Sequence, residues 1–473
     1  MSSNQRVILL EFNELSPTLM ERFIKMGQLP NFKRLRDQSQ VLITEAAERG
    51  FELNPWVQWV TVHSGLNYAD HRLIELDEGP LLKQPRVWDV VSQAGRPVWL
   101  CGSMNIGYQM PLNGVIMPDP WSTKVNASDT LQPFFRFVQQ NVLEHSSNRP
   151  ALGAADYLKF LTFMLGHGLS FGTITAILRQ LAAERVDDSV RWKRAVLLDK
   201  LQFDVFRWYY DKVRPAFATF FSNSTAHFQH YHWREMEPDL FKSRPSPEKL
   251  AAHDNTILFG YQEMDTLIGQ FLELADRDTV LVFATAISQQ PCLIYEEQGG
   301  KVMYRPSDMA RLLKFAGVTE PHTATPLMAE VFNIQLRDEE AARRVEGKLS
   351  EIRIGDRQAI LAQRKETLLT VKCQLHERQP QGAELKRADG TTANFHELFF
   401  ELEDVKSGMH HPDGMLWIRI PGTAPRCYEN KVPLAAVAPT LLQLLSLPAP
   451  PQMGRPISLF AADAAEPHEA VPV

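Results

Sequence analysis

The run VPLAAVAPTLLQLLSLPAPPQMGRP (Val432–Pro456) says more about the architecture of this 473-residue chain than any other stretch. Pro439 suits the first turn of a helix, where the missing amide hydrogen of proline costs nothing. Five leucines within residues 441–447 make this short helix mostly apolar, which predicts that it is buried. Three prolines within residues 448–451 then end it. We therefore expect a buried helix with a proline-rich exit.

Apolar runs that alternate with amphipathic helices extend this picture to the rest of the chain. The first apolar run, Arg6–Leu10, is followed by a predicted helix. Ser16 is its expected N-cap and Pro17 its first residue. Such alternation predicts a doubly wound, mostly parallel α/β sheet, whose ligands bind beyond the carboxyl ends of its strands. The buried strands are expected at Arg6–Leu10, within Val87–Asn105, at Phe217–Ser224 and at Asp278–Ala286.

Composition and charge narrow the range of functions. The chain is 44% hydrophobic with a net charge of −6, so it can bury a large core and gives no reason to expect nucleic-acid binding. Its four cysteines are widely spaced, which favours a reducing compartment or buried thiols. The N-terminal residues lead almost directly into a strand, and no apolar run long enough for a membrane span follows. We expect a soluble, cytoplasmic protein, with a homo-oligomer as one option.

The C-terminal run resembles the signature of the alkaline phosphatase superfamily, in its type I phosphodiesterase and nucleotide pyrophosphatase branch. The segment SPTLMERFIKMGQLPNFKRLRDQ (Ser16–Gln38) is similar to the opening unit of the same family. This resemblance implies a doubly wound, mostly parallel central sheet flanked by helices, with helical cap insertions. Family members with the usual mechanism hold two divalent metals, commonly zinc, which activate a threonine or serine hydroxyl.

Two long segments read as insertions into this core. Within the first, the apolar stretch Phe160–Leu181 contains polar residues and glycines, which favours a packed helix pair over a membrane contact. The second contains a charged stretch, residues 337–369, which we expect to form a helix with a solvated face. Both are expected to project as caps over the site. The predicted units are the α/β core (1–127, 215–299 and 408–460), the first, helical insertion (128–214), the second insertion (300–407) and a flexible tail (461–473).

Where the family places its first metal-binding aspartate, this chain reads EFNE at residues 11–14. The resemblance puts Asn13 at the aspartate position, and an amide binds zinc far more weakly than a carboxylate. Glu11 and Glu14 flank it, as candidate substitutes or as structural groups. The nucleophile position falls on Pro55, which has no hydroxyl.

Two later motifs keep one histidine each. The segment SNSTAHFQHYHWREMEP (222–238) resembles the family's Asp-x-x-x-His motif, and the resemblance carries the histidine ligand to His230, although alanine stands at the aspartate position. GMHHPDGML (408–416) resembles the late histidine motif, which implies a ligand role for His410. His227, beside the lost aspartate, is a candidate for metal binding or hydrogen bonding. The family's Asp-His pair is replaced by alanine and isoleucine, so the resemblance implies at most one weakly held divalent ion, such as zinc.

The positions in and beside these motifs are polar rather than uniformly apolar. Tryptophan, amides and carboxylates suit polyhydroxylated ligands, and carboxylate pairs can perform acid–base chemistry on glycosidic bonds. The metal candidates are His230 and His410. The catalytic candidates are Glu11, Asn13, Glu14, His227, His230, His410 and Asp413. The substrate-binding candidates are Asn54, Trp56, Gln58, His63, Asn223, Ser288, Gln289, Gln290 and His411.

Three functional hypotheses remain open at this point. The first is a divergent hydrolase or transferase that acts on a phosphorylated or glycosylated small molecule or glycan, with at most one metal. The second is a metal-independent glycan-processing enzyme that uses Glu11 or Glu14, Asp413 and the histidines. The third is a catalytically inactive binding or scaffold protein. Bound metal, sensitivity to a chelator and turnover distinguish the three.

Overall fold

The protein is built around a central sheet of nine strands. The structure, a computed structural model, describes residues 5–146, 153–326, 330–402 and 405–459, so the predicted tail at 461–473 lies outside the described residues. Its strands are, in chain order, β1 (Arg6–Phe12), β2 (Gln40–Glu45), β3 (Val98–Cys101), β4 (Gly114–Met117), β5 (Phe217–Ser222), β6 (Thr279–Ala284), β7 (Ser288–Pro291), β8 (Tyr304–Pro306), β9 (His322–Pro326), β10 (Val331–Leu336), β11 (Arg353–Ile354), β12 (Arg357–Gln358), β13 (Ile360–Lys365), β14 (Leu368–Cys373), β15 (Glu384–Lys386), β16 (Thr392–Asn394), β17 (Phe399–Glu401), β18 (Gly408–His411), β19 (Asp413–Arg419), β20 (Arg426–Cys427) and β21 (Val432–Pro433).

The central sheet has the order β20-β2-β19-β6-β1-β5-β3-β4, with β21 also paired to β2. The five strands from β6 to β4 run parallel, whereas β19 is antiparallel to both of its neighbours. Strand β1 lies in the middle and is almost entirely buried, as its nearly continuous apolar run predicts for a strand covered on both faces. The predicted fold class, a mostly parallel sheet flanked by helices, is confirmed.

Helices cover both faces of this sheet. They are, in chain order, α1 (Pro17–Lys25), α2 (Pro30–Arg36), α3 (Pro55–Ser64), α4 (Tyr68–His71), α5 (Val87–Gln93), α6 (Gln132–Ser146), α7 (Ala154–Gly166), α8 (Phe171–Val186), α9 (Ala195–Val213), α10 (Ser224–Met236), α11 (Pro247–His253), α12 (Thr256–Leu274), α13 (Met309–Phe315), α14 (Glu339–Ser350), α15 (Phe395–Leu398) and α16 (Val437–Leu444).

Alternate residues of β1 point into different hydrophobic cores. Leu10 and Phe12 belong to a core covered by α1, α2, α9, α10 and α12, whereas Leu9 belongs to a core covered by α3, α5 and α16. The buried helix expected from the C-terminal run is α16, and Pro439 lies in its first turn. This two-sided burial leaves the strand ends as the places where polar side chains can meet.

The first predicted insertion is helical and contributes to the main core. Helix α9 packs on the sheet, where Phe203 and Phe206 contact Phe220. The stretch expected to form a packed helix pair forms α7 and α8, which are separated by residues 167–170. Over the described ranges, no helix combines the length and the apolar character that crossing a bilayer requires.

The second predicted insertion has a hydrophobic core of its own, formed by residues between Val302 and Phe399. It contains two four-stranded sheets, β13-β14-β10-β9 and β12-β11-β15-β16. The helix expected over residues 337–369 was wrong in extent, because α14 ends at Ser350 and four strands follow. Gly355 adopts a positive φ of 55° in the turn between β11 and β12, and β14 buries every second residue. The glycine turn and the two-residue alternation of burial therefore favour strands here, although the charge pattern predicted a helix.

Candidate functional site

The polar residues singled out in the sequence collect at the carboxyl ends of β1, β5 and β6. Asn13 and Glu14 follow β1, while Asn223 follows β5 and opens the helix that carries His230. Strand β7 follows β6 and pairs with β18, which places Gln289 opposite His410. Because these three parallel strands are neighbours in the sheet, their ends converge on one site, as expected for an open α/β fold.

Strand β18 reaches α10 only because its first residue is a glycine. A Cβ atom at Gly408 would lie 2.3 Å from the backbone oxygen of Gln229 and 2.6 Å from Oε1 of Gln289, which is impossible without displacement. The amide of Ser407 donates to the backbone oxygen of His230 at 2.7 Å and fixes this approach. The two histidine rings consequently meet edge to face, with their centroids 5.3 Å apart.

Glu14 reaches these histidines through an unusual backbone conformation. Its φ is +59°, in the left-handed region that costs a residue with a Cβ atom stability. The Glu14 amide donates to the backbone oxygen of Thr285 at 3.3 Å, and its own oxygen accepts from Nε2 of Gln229 at 2.7 Å. Tyr261 in turn donates to Oε1 of Gln229 at 2.8 Å. These contacts hold the strained turn in place.

The carboxylate of Glu14 lies between the two histidines. Its Oε2 atom is 3.2 Å from Nε2 of His230 and 3.4 Å from Nε2 of His410. One ligand atom from each residue lies within 4.8 Å of the others, a group suited to hold a metal ion. A tetrahedral zinc ion with bonds of about 2.0–2.1 Å separates neighbouring ligand atoms by about 3.3–3.4 Å. The contacts of Glu14 Oε2 with the two histidines, at 3.2 and 3.4 Å, are close to that spacing.

Neutral amides orient the carboxylate of Glu14. Asn13 Nδ2 donates to Oε1 at 2.9 Å, and Gln289 Nε2 donates to Oε2 at 2.6 Å. Asn13 also donates to Oδ1 of Asn223 at 2.7 Å and accepts from the indole of Trp59 at 2.8 Å. The amide that stands at the family's aspartate position therefore positions the neighbouring acid.

Burial and nearby charges set the protonation states of this group. Burial would raise the pKa of Glu14, but His410, His230 and Lys406 outweigh it and lower that pKa to about 2. Burial lowers the pKa of His410 to about 3, against the attraction of Glu14, and it also lowers the pKa of His230. At neutral pH the group therefore presents one carboxylate and two neutral imidazoles, the states in which these side chains bind metals.

The outer nitrogens of both imidazoles face the backbone. Nδ1 of His230 lies 3.4 Å from the backbone oxygen of Gly408, and His410 makes a backbone hydrogen bond with Leu53. Contacts of this kind fix the ring orientation, and when Nδ1 carries the proton, the nitrogen that faces Glu14 is the one that can bind a metal. The side chain of Lys406 adds a positive charge to this environment. Burial and the charge of Lys301 lower the pKa of the Lys406 amine.

Other catalytic candidates lie away from this group. Glu11 and His63 form a fully buried pair, 2.8 Å apart, beneath the site. Asp413 forms an ion pair with Lys431, in which Oδ1 lies 2.7 Å from Nζ. His227 is exposed on α10. The structure therefore brings together only Asn13, Glu14, His230 and His410 of the seven catalytic candidates.

The substrate-binding candidates divide in the same way. Asn223 and Gln289 contact the group, whereas most of the others serve the local backbone. Asn54, Trp56 and Gln58 donate to backbone oxygens of Phe51, Ile74 and Glu52, and His411 accepts from the amide of Asp413. Ser288 and Gln290 lie in β7, opposite His411 and Met409.

Sequence reasoning missed three residues that shape the site: Gln229, Trp59 and Lys406. Gln229 stands at the glutamine of the family motif around His230, so its position was a usable signal. Trp59 lies in α3, four residues after the position that the resemblance gives to the nucleophile. Nothing in the sequence around Lys406 marks it, because its role arises from the contact of the segment before β18 with α10.

No family model matches the sequence, and no curated protein matches it. Among solved structures, the chain is similar to murine ectonucleotide pyrophosphatase/phosphodiesterase 5, with a TM-score of 0.45 and 11% identity over 94% of this chain and 96% of that one. It is also similar to phosphonoacetate hydrolase from Sinorhizobium meliloti 1021 in complex with phosphonoacetate, with a TM-score of 0.44 and 10% identity over the same shares. The human ectonucleotide pyrophosphatase/phosphodiesterase 5 gives 0.44 and 11%, again over 94% and 96%. Similarities this low establish neither ancestry nor activity.

Proposed function

We propose that this chain is a divergent hydrolase of the alkaline phosphatase superfamily that cleaves a phosphate ester with a single divalent metal ion. The observation that carries the proposal is the group formed by Glu14, His230 and His410. Both histidines stand where the sequence resembles the family's metal ligands. Glu14 joins them from the residue after the expected aspartate position, so a three-ligand centre replaces the usual pair of metals.

The donor set fits one ion such as zinc. Two histidines and one carboxylate are the ligands of a common type of catalytic zinc site, which leaves one position for water or substrate. When bound, the ion would polarise a phosphoryl oxygen and lower the pKa of a water molecule. Asn13 and Gln289 would orient the Glu14 carboxylate in this role, as they do in the structure.

Water is the proposed nucleophile. Pro55 occupies the nucleophile position of the family and offers no hydroxyl. Among the described residues, no hydroxyl or thiol side chain is hydrogen-bonded to Glu14, His230 or His410. With water as the attacking group, hydrolysis would proceed without a covalent enzyme intermediate. Lys406 supplies a positive charge near the group, which suits an anionic phosphate substrate.

Metal analysis combined with a substrate screen tests this proposal. We expect about one zinc per chain, as three ligands and an open position imply. We also expect hydrolysis of an aryl phosphate monoester or diester that a chelator abolishes. His410→Ala and Glu14→Gln should lose both metal and activity, whereas His322→Ala, at an exposed histidine of the second insertion, should retain both. About two zinc ions per chain, or turnover that survives the chelator, would contradict the proposal.

The metal-independent glycan-processing alternative has less support. Its carboxylates are Glu11 or Glu14, together with Asp413. Glu11 is buried against His63, Glu14 lies between the two histidines, and Asp413 is paired with Lys431. Cleavage of a glycosidic bond needs two carboxyl groups about 5–10 Å apart on either side of the sugar. The same screen, extended to aryl glycosides with the chelator present, separates the two hypotheses. Metal binding without turnover on any substrate would instead favour the inactive binding protein.

A further inference from the structure

A separate polar cavity of about 240 Å³ is lined by residues of α10 that follow His230 in the chain. Its inner wall is formed by Tyr231, Arg234 and Glu235 of that helix. The segment 243–249 forms a second wall. Arg378 and Val405 of the second insertion are also part of the lining. The cavity is smaller than the roughly 300–1,000 Å³ of pockets for drug-sized ligands, so it suits a compact group.

The charges that line the cavity are mostly positive. Its cations are Arg234, Arg244, Lys249 and Arg378, and its one carboxylate is Glu235. Ser243 and Ser246 add hydroxyl groups. A concave surface with several guanidinium groups and hydroxyls matches the geometry of a phosphate or sulfate group, which guanidinium groups bind through paired hydrogen bonds.

Arg234 is fixed before any ligand arrives. Its side chain is only 7% exposed, its guanidinium donates to Glu296, and it lies 4.8 Å from the ring centroid of Phe241. The other oxygen of Glu296 accepts from the amide of Ser243 at 3.2 Å. Nε of Arg234 is buried and has no hydrogen-bond partner among the described residues. Because Nε is enclosed by protein, a ligand in the cavity would meet Arg234 through the rest of its guanidinium group, which lines the inner wall.

The outer arginines are held more loosely. Arg244 pairs with Asp239, and Arg378 pairs with Glu401 at 3.1 Å; both arginine side chains are about 70% exposed. Exposed ion pairs of this kind contribute little free energy, so these guanidinium groups can turn towards a ligand at small cost.

We propose that this cavity binds a phosphate or sulfate group, either as a free oxyanion or as a substituent of a small organic ligand. The site is distinct from the group at Glu14, and it does not require the metal proposed there. The rigid Arg234 supplies the inner contact, while Arg244 and Arg378 close on the ligand from outside.

Calorimetric titration at low ionic strength tests the proposal with inorganic phosphate, inorganic sulfate and phenyl phosphate as probes. We expect binding to the wild type and a loss of about tenfold per arginine in the double variant Arg244→Gln/Arg378→Gln, as for the loss of charge-assisted hydrogen bonds. Arg311→Gln is the matched control, because Arg311 forms a comparably exposed ion pair with Glu397 elsewhere in the second insertion. It should bind the probes like the wild type.

His410→Ala separates this site from the proposed catalytic centre. If the variant keeps wild-type affinity for the probes, the binding belongs to the cavity even should the proposed function fail. Loss of binding in His410→Ala with full retention in the double variant would place the anion at the catalytic group and overturn the cavity proposal. Absence of binding to the wild type would overturn it as well. Binding of inorganic phosphate identifies a free anion as a ligand, whereas binding of phenyl phosphate alone identifies an esterified one.

Discussion

His410 combines a ring that faces a carboxylate with a pKa far below the ordinary value. In the unfolded chain it takes up a proton near pH 6.5, whereas in the folded protein burial delays this to about pH 3. Between these values the unfolded state binds more protons, so the folded state loses stability as the pH falls. Glu14 acts in the same direction between its ordinary pKa of 4.5 and about 2. The group proposed to bind metal is thus expected to make the protein sensitive to acid.

The first prediction concerns this acid sensitivity. We expect the free energy of unfolding of the metal-free wild type to fall as the pH is lowered from 6.5 towards 3. His410→Gln removes the buried imidazole and should flatten part of that dependence, which urea unfolding at several pH values measures. The exposed His322→Gln is the control and should follow the wild type. Parallel curves for His410→Gln and the wild type would refute the assignment.

At the scale of elements, the site depends on how closely β18 approaches α10. Gly408 permits this contact. The backbone pairing of β18 with β7 then sets the position of His410 in the site. Neither element contains the complete ligand set, since Glu14 comes from the end of β1. The geometry of the three proposed ligands therefore depends on the spacing between elements as well as on the identity of the side chains.

The second prediction follows from this close approach. Gly408→Ala introduces a Cβ atom that overlaps the backbone of α10, and such overpacking costs about 1–3 kcal/mol of unfolding free energy. Because His410 moves with the strand, zinc affinity should fall at least about tenfold in competition with a chromophoric chelator. Gly347→Ala is the control: it lies in α14 with open space around the new atom, and it should be neutral or slightly stabilising. Unchanged zinc affinity in Gly408→Ala would count against the proposed centre.

The whole molecule contains hydrophobic cores on the two faces of the sheet and a further one in the second insertion. The insertion touches the main body through polar contacts, including Lys365 to Glu78 at 2.7 Å and Thr370 to Glu75 at 3.2 Å. Contacts of this polar type give weaker coupling than a shared apolar core. The two parts should therefore differ in local stability.

The third prediction is a separation of these stabilities by hydrogen exchange. Leu369→Ala, at a fully buried residue of β14, should cost about 2–5 kcal/mol and speed amide exchange across the second insertion. Strands β1 and β5 should keep their protection. Leu10→Ala, at a fully buried residue of β1, is the counterpart and should speed exchange in the central sheet. Equal acceleration throughout the chain in both variants would show a single cooperative unit instead.

Much of the fold could be predicted because the buried parallel strands are mostly apolar runs, as in β1, β5 and β6. The strands after Ser350 were not predicted. The many charged residues there obscure the alternation of buried and partly exposed side chains, which becomes clear only once the strands are paired. His230 and His410 could be selected from motifs. Glu14 remained one of several acids, since its role depends on a positive φ that a glutamate seldom adopts. Lys406 had no sequence signal, because long-range packing brings it to the site.

The left-handed turn at Glu14 has a consequence for how such proteins are recognised. Surveys that look for an acidic residue at a fixed offset from a strand end will record this chain as having lost it. In the proposed centre the acid is Glu14, one residue after Asn13, and the positive φ at Glu14 accompanies the approach of its carboxylate to the two histidines. Collections of apparently inactive relatives deserve a search for the same displacement, because a missing aspartate followed by a glutamate can describe a relocated ligand.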